Sequence, residues 1–242
     1  MKLIQHVWST ANQVSLGETK VDLAFADPPY NQGVKYDEDP THDTMPVPKY
    51  RELMCSVMTQ LASNIRQGGT LWWLCPSSDG DWVWSHLLTL GRLLYKRPII
   101  WHERFAQYQH AALTADYRLL FPVLIGNVDP VFNPDAIREE SVRQRMKDKR
   151  ADPRGRVPGH VWETRRLQGT SVDRVDWHKA QLPPETLDRI ILGWTNRGDI
   201  VLDAFAGSGA LAVRCRQHQR RYIGFERSPF YISKIEERVA SD

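Results

Sequence analysis

Apolar residues in this chain fall into short, dense runs separated by polar stretches, and the spacing within each run decides what it forms. The clearest pattern is VDLAFADPPY at 21–30, where Val21, Leu23 and Phe25 alternate with Asp22 and Ala24 before the run stops at Asp27-Pro28-Pro29-Tyr30. This predicts a buried strand ending in a stiff loop, because two prolines fix successive φ angles and bias the residue before each away from helix. A short edge strand is expected over 2–8. The stretch 31–48 is rich in Asp, Pro, Asn and His with little periodicity, which predicts a long loop beside the end of the organising strand. Tyr50, Leu53, Met54, Val57, Met58, Leu61 and Ile65 then recur at helical spacing, so a helix is expected over 48–66, ended by Gln67-Gly68-Gly69.

Further along, TLWWLC at 70–75 predicts a compact strand, and Asp79-Gly80-Asp81 predicts the cap of a helix reaching about Leu90. Strands are expected at 99–102 and 117–125, the second at an edge or bulge because of Pro122. Periodicity fades from 127 to 177, where Pro and Gly recur. It returns in PPETLDRIILGW at 183–194, whose Leu187, Ile190, Ile191 and Trp194 form one helical stripe. A strand at 200–204, a glycine-rich turn at 205–209, a helix at 210–217, a strand at 221–225 and a helix at 229–239 complete the chain. Strands alternating with helices in this way predict an α/β fold with a mainly parallel central sheet.

The 242 residues, 41% hydrophobic, suffice for one domain of ordinary size with an insertion, and no run approaches a membrane span. The start MKLIQHVW lacks the basic region and long apolar core of a secretory signal. Cys55, Cys75 and Cys215 stand far apart without a C-x-x-C, which fits a reducing cytoplasm and argues against a disulfide framework or a metal site. The formal charge of +3 permits nucleic acid without demanding it, but charge is uneven along the chain. Between 135 and 174 stand 11 Arg and Lys against 7 Asp and Glu, mostly arginine, which suits bidentate phosphate and guanine contacts. A solvated, salt-laced insertion is the other reading of that segment.

Chemistry concentrates in two places. At the first, Asp27, Pro28, Pro29 and Tyr30 place a carboxylate, a carbonyl and an aromatic ring at a strand end, where open α/β sheets hold ligands. An exocyclic amine on a base is a weak nucleophile because its lone pair is delocalised. If Asp27 and the Pro28 carbonyl each accept one of its hydrogens, the lone pair localises and the positive charge that develops on attack is stabilised, while Tyr30 stacks on the extracted base. At the second, Asp203 and Phe205-Ala206-Gly207-Ser208-Gly209 join a strand to a helix, so that a ligand can lie against bare backbone. Glu226, nineteen residues after Gly207 and at the end of the next strand, is placed to take both hydroxyls of a ribose.

Asp-Pro-Pro-Tyr-Asn at 27–31 followed later by Asp203-Ala204-Phe205-Ala206-Gly207-Ser208-Gly209 resembles the amino-group DNA methyltransferases that use S-adenosylmethionine. The order, catalytic loop before cofactor loop with a basic segment between, resembles their permuted β class. Ile99-Ile100-Trp101 and His178-x-x-Gln181-x-Pro183 extend the similarity over nearly the whole chain. The resemblance implies a Rossmann-like methyltransferase fold divided into a catalytic half (1–126), a target-recognition insertion (127–177) and a cofactor-binding half (178–242). It implies that Asp27, Pro28, Pro29 and Tyr30 hold the flipped base. Asp203, Phe205, Gly207, Ser208, Gly209 and Glu226 would hold S-adenosylmethionine, with no metal required.

The chain departs from the pattern in two ways: Lys179 and Leu182 replace the usual Pro and Lys, and no Gly-Asp pair precedes the catalytic strand. His178 reads as a packed or solvated histidine at least as well as a ligand contact. The expected partner is double-stranded DNA in the cytoplasm, with a homodimer and a companion restriction nuclease both compatible with the sequence. Adenine N6 is the expected target because Asp opens the catalytic loop, where related cytosine N4 enzymes more often have Ser. The alternatives are an N4-cytosine enzyme, an RNA enzyme, which the motif order disfavours, and a non-catalytic, cofactor-sensing DNA-binding protein.

Overall fold

The computed structural model describes residues 1–11, 14–36, 43–103, 113–164, 167, 171 and 173–241. Its strands are β1 (Lys2–Gln5), β2 (Val21–Ala26), β3 (Ile65–Pro76), β4 (Arg92–Leu93), β5 (Ile99–Glu103), β6 (Tyr117–Leu124), β7 (Val161–Thr164), β8 (Ile200–Asp203) and β9 (Arg221–Glu226). Its helices are α1 (Val47–Asn64), α2 (Gly80–Leu90), α3 (Val142–Arg145), α4 (Pro184–Trp194), α5 (Ala210–Gln217) and α6 (Pro229–Ser241). One sheet runs β1-β9-β8-β2-β3-β6-β5-β7, with β4 pairing β6 off that path. Only the β6 pairings are antiparallel, so the mainly parallel α/β architecture follows as the sequence predicts.

Apolar runs without polar interruption are what a sheet covered on both faces requires. Along β2, Ala24 and Ala26 face a core built with Met54, Val57 and Leu61 of α1 and Leu87 of α2. Leu23 and Phe25 face the opposite core, built with Leu187, Ile190 and Ile191 of α4 and Leu211 of α5. Neighbouring tryptophans on β3 divide the same way, Trp73 to the first core and Trp72 to the second. Each such buried large side chain contributes about 1.5–3 kcal/mol, so the central strands are the most firmly held part of the molecule. Asp22 locks the start of β2 into place: Oδ1 accepts from Arg66 Nε at 2.6 Å and Oδ2 accepts from the Ile200 backbone at 2.8 Å.

Three local expectations are corrected. The helix α1 ends at Asn64 because Ile65 turns to extended backbone, φ −88° and ψ 141°, and the chain enters β3 at once. The Gly68-Gly69 pair therefore lies inside a strand, as a bulge. Gly68 has φ +78°, and the pairing partner of β2 jumps from Val21↔Ile65 to Leu23↔Thr70. Asp79 makes no side-chain cap; a 3-10 turn, Ser77–Asp79, leads into α2 instead. Pro122 sits in the sheet interior, paired with Trp72. Its carbonyl accepts from Leu94 N at 3.0 Å, so its nitrogen points the same way, toward Leu94 and away from β3, and the ladder between β3 and β6 loses no bond.

The 127–177 segment, expected as an insertion, contributes the edge strand β7, parallel to β5 with Trp101 opposite Trp162. It also clasps the end of α4, where Asn133 Nδ2 donates to the carbonyls of Leu192 at 3.1 Å and Thr195 at 3.0 Å. The two outer segments share the sheet through β2 and β8, Phe25 facing Asp203. Among the described residues no helix is long and apolar enough to cross a membrane.

Candidate active site

The organising strand ends at Ala26, and the next four residues turn back on themselves. Tyr30 Oη donates to Asp27 Oδ1 at 2.6 Å, and Tyr50 Oη, from α1, donates to the Pro29 carbonyl at 2.9 Å. Among the described residues no donor occupies the Pro28 carbonyl. Beyond the turn, Asn31 takes φ +58° and its amide clasps Met45, accepting from its N–H at 2.6 Å and donating to its carbonyl at 2.8 Å. Asp43, 2% exposed, accepts from the backbone N–H groups of Asn31 at 2.6 Å, Gln32 at 3.1 Å and Val34 at 2.7 Å. The described part of the 31–48 loop is thus fastened around one buried carboxylate. Sequence reasoning missed Asp43 because an Asp in a polar loop carries no mark of what it accepts from.

Burial raises the Asp27 pKa to about 6, against the opposing influence of Arg118 and the Tyr30 hydroxyl, with Glu103 adding to the rise. Burial, and then the Asp27 charge, hold Tyr30 well above the ordinary phenol range. At neutral pH the pair is therefore mainly a carboxylate accepting from a phenol. Arg118 on β6 lies over the Tyr30 ring, its Cζ 5.5 Å from the ring centre, and this residue too was invisible in the sequence pattern.

The second loop stands at the adjacent strand end. Ala204 N donates to the Phe25 carbonyl at 2.9 Å, and Ala206 N to the Phe225 carbonyl at 2.9 Å, so the turn after β8 is fastened to the strands on both sides. Gly207 and Gly209 have φ +49° and +70°, a region that side chains adopt at a cost. Space also forbids side chains: a Cβ on Gly209 would lie 2.8 Å from Ile235 Cγ2. Asp203, buried beneath the turn, accepts from Phe205 N at 3.2 Å and from Tyr222 Oη at 3.1 Å, and burial raises its pKa to about 7. Phe205 is half-buried beside Trp8, ring centres 6.1 Å apart, and the buried Ser208 offers its carbonyl to Arg238 Nη1 at 2.8 Å. Glu226 braces the loop: Oε2 accepts from Gly207 N at 2.9 Å, and Oε1 from Arg227 N at 2.8 Å and Ser228 N at 2.9 Å. Burial raises its pKa as well.

His178 is packed. Its Nε2 lies 2.9 Å from where a Gly207 Cβ would stand, its Nδ1 accepts from Ala180 N at 3.3 Å, and burial lowers its pKa to about 4. The ring lies 5.0 Å from Tyr231 and 5.9 Å from Tyr36. Tyr36 and His178 therefore carry the loop after β2 onto the loop after β8, a contact between residues 142 positions apart that no local pattern announces. Gln181 is structural, donating to the Asp173 carbonyl at 2.6 Å and accepting from Val175 N at 2.9 Å.

The arginine-rich segment is largely internally paired. Arg138 meets Asp135 at 2.6 Å, Arg150 meets Asp148 at 2.9 Å, Arg154 meets Asp152 at 3.0 Å, and Arg156 meets Glu139 at 2.5 Å. Arg143, Arg145, Lys147 and Lys149 are exposed and make no ion pair among the described residues. Arg165 and Arg166 lie outside the described residues.

The DNA methylase family of N6/N4 methyltransferases matches residues 21–237. The chain is 29% identical over 232 residues to the type II methyltransferase M.HpaI of Haemophilus parainfluenzae, covering 94% of this chain and 71% of that protein. It is 29% identical over 248 residues to the DNA adenine methyltransferase YhdJ of Escherichia coli (strain K12), covering 96% and 80%. Among solved structures it shares its fold with the cytosine-N4-specific PvuII DNA methyltransferase, at TM-score 0.64 and 13% identity over 94% of this chain and 86% of that one. The M1.HpyAVI–SAM complex aligns at TM-score 0.60 and 20% identity, over 91% and 89%.

Proposed function

The chain belongs to the N6/N4 DNA methylase family, and on that premise we propose that it transfers the methyl group of S-adenosylmethionine to the N6 amine of an adenine turned out of duplex DNA. The observation that carries the reading is that its two loops leave the same end of the parallel neighbours β2 and β8, which the 2.9 Å bond from Ala204 N to the Phe25 carbonyl holds side by side. A methyl acceptor held at Asp27 and a cofactor held at Gly207 are thereby neighbours.

The residues present suit this cofactor. Gly207 and Gly209 form a bare-backbone cradle that a Cβ would fill. Asp27, Asp203 and Glu226 are all held above their ordinary carboxyl range by burial, so a cation brought among them is stabilised. S-adenosylmethionine supplies a methyl group on a positively charged sulfur and a good leaving group. Phe205, Gly207, Ser208 and Gly209 would line its methionine part. Glu226 would take a ribose hydroxyl at the one acceptor site, on Oε2, that its three backbone donors leave free.

Toward the base, Tyr30 ties down Asp27 Oδ1, which leaves Oδ2 and the Pro28 carbonyl as the two acceptors for the amine hydrogens. Holding both hydrogens localises the nitrogen lone pair and stabilises the charge that grows on nitrogen as the methyl arrives. Asp27 orients and accepts; at its pKa of about 6 it is ionised at neutral pH. The Tyr30 ring offers a stacking face to the base. The exposed cations Arg143, Arg145, Lys147 and Lys149 are the part of the basic segment suited to DNA phosphates. Restriction-modification is the setting suggested by the type II relative.

Asp27→Ala tests the assignment. Methyl transfer to duplex DNA should fall below detection while calorimetric affinity for S-adenosylmethionine stays close to wild type; an active D27A enzyme sinks the catalytic role. Cytosine N4 presents the same two hydrogens to the same two acceptors. The adenine assignment rests on Asp27 opening the loop and on the adenine-modifying relative.

A further inference from the structure

Arg118 takes no direct part in the transfer chemistry, yet among the described residues it is the cation whose charge acts on the catalytic carboxylate. Strand register sets it at the start of β6, opposite Pro76 of β3 and Trp101 of β5. Its guanidinium lies over two rings, Cζ 5.1 Å from the Trp101 centre and 5.5 Å from the Tyr30 centre. Its Nη1 is 3.4 Å from Glu103 Oε1, and the Tyr30 on which it rests donates to Asp27. Glu103, Arg118, Tyr30 and Asp27 form a continuous line from the end of β5 to the catalytic loop.

We propose that Arg118 is the positioning residue of this site: it occupies one face of Tyr30, reserving the other for the target base, and it sets a positive charge beside the Tyr30–Asp27 hydrogen bond. The inference rests on the methyltransferase reading of the site. A ring has two faces, and a guanidinium held against one by a second ring and a carboxylate leaves a base only the other. Charge follows the same line. Burial drives Asp27 toward the neutral form and Arg118 opposes it. A protonated Asp27 would present an O–H and lose an acceptor, so the amine would keep its delocalised lone pair.

Glu103 completes the device. A lone cation so close would resist the positive charge growing on the amine; paired with Glu103, the line Glu103, Arg118, Asp27 stays net negative toward it. Arginine suits the place better than lysine, being planar for stacking and charged at any working pH. The other groups that interact electrostatically with Asp27 are Tyr30 of its own loop, Tyr36, Tyr50 of α1, Cys75 of β3 and Asp203 of β8. Among the described residues Arg118 is the one cation acting on Asp27.

Single-turnover methyl transfer to duplex DNA, followed from pH 5 to 9, tests this. Wild type should lose rate below about pH 6, where Asp27 protonates. Arg118→Met should move that limb upward by about one unit, a roughly tenfold loss on its acid side that is recovered at high pH. Glu103→Gln should move it downward. Arg118→Lys should keep the wild-type limb with a lower plateau, since charge is retained and stacking removed. Calorimetric affinity for S-adenosylmethionine should be unchanged in all three, which separates positioning from damage to the fold. Coincident limbs in wild type and R118M overturn the proposal; should R118M fail to fold, R118K decides it, a plateau equal to wild type overturning the stacking role. Absence of transfer by wild-type protein counts against the methyltransferase reading itself.

Discussion

Gly207→Ala places one carbon against His178 in a tight part of the site, and the structure sets its consequences on two counts. Backbone φ at +49° lies in the left-handed region, where an alanine costs about 1–2 kcal/mol. The new Cβ would stand 2.9 Å from His178 Nε2 and 3.2 Å from its Cε1. The imidazole has little room to retreat, being held by Ala180 N at 3.3 Å and packed against Tyr231 and Tyr36. Overpacking of that kind costs about 1–3 kcal/mol, so G207A should destabilise by about 2–5 kcal/mol. For a chain of this length that lowers Tm by roughly 5–15 °C. Cofactor affinity should fall with it. His178→Ala removes the clash and leaves the backbone cost. The double variant should therefore regain about 1–3 kcal/mol over the sum of the single changes, measured by thermal unfolding with and without S-adenosylmethionine. Strictly additive effects, or a G207A protein with wild-type Tm and affinity, would refute the reasoning about this loop.

Asp43→Ala removes the acceptor for three backbone N–H groups, which should cost about 1–3 kcal/mol locally; limited proteolysis should cut near 31–36 faster and kcat should fall, with cofactor affinity retained. Replacing Arg143, Arg145, Lys147 and Lys149 with Gln should weaken DNA binding and flatten its salt dependence by about one unit of slope for each phosphate left without its cation. Arg138→Gln should instead lower Tm, since its partners are Asp135 and the Gly155 carbonyl. Asp203 titrates at about 7 when folded against 3.8 for the ordinary carboxyl, so the folded state holds the proton more tightly and loses stability as pH rises between those values. Asp203→Asn, whose carbonyl can still accept from Phe205 N, should therefore gain in Tm relative to wild type between pH 5 and pH 8; a constant difference would contradict the assignment.

The parts of the site that were legible in the sequence are those written into local pattern. Alternation in VDLAF followed by two prolines announces β2 and its stiff loop; a strand, two glycines and a helix announce the turn at 205–209; both stand where that pattern puts them. Helix stripes such as Leu187, Ile190, Ile191 and Trp194 are buried as spaced. What stayed hidden depends on the meeting of distant residues. The carboxylate of Asp43, the guanidinium of Arg118 and the Tyr36–His178 ring pair each join positions that look like ordinary loop or strand residues. The Gly68-Gly69 pair reads as a helix stop in any local window, and only the pairing of β2 with β3 reveals a bulge. The count of basic residues in 135–174 overstates the number free to meet a phosphate, because Asp135, Glu139, Asp148 and Asp152 fold back onto their neighbouring arginines.

The most direct measurement is incubation of the purified protein with S-adenosylmethionine carrying a labelled methyl group and unmethylated genomic DNA, followed by nucleoside mass spectrometry. The account predicts labelled N6-methyladenine. Labelled N4-methylcytosine would keep the chemistry at Asp27 and overturn the choice of base, and DNA free of label despite tight cofactor binding would contradict the central claim.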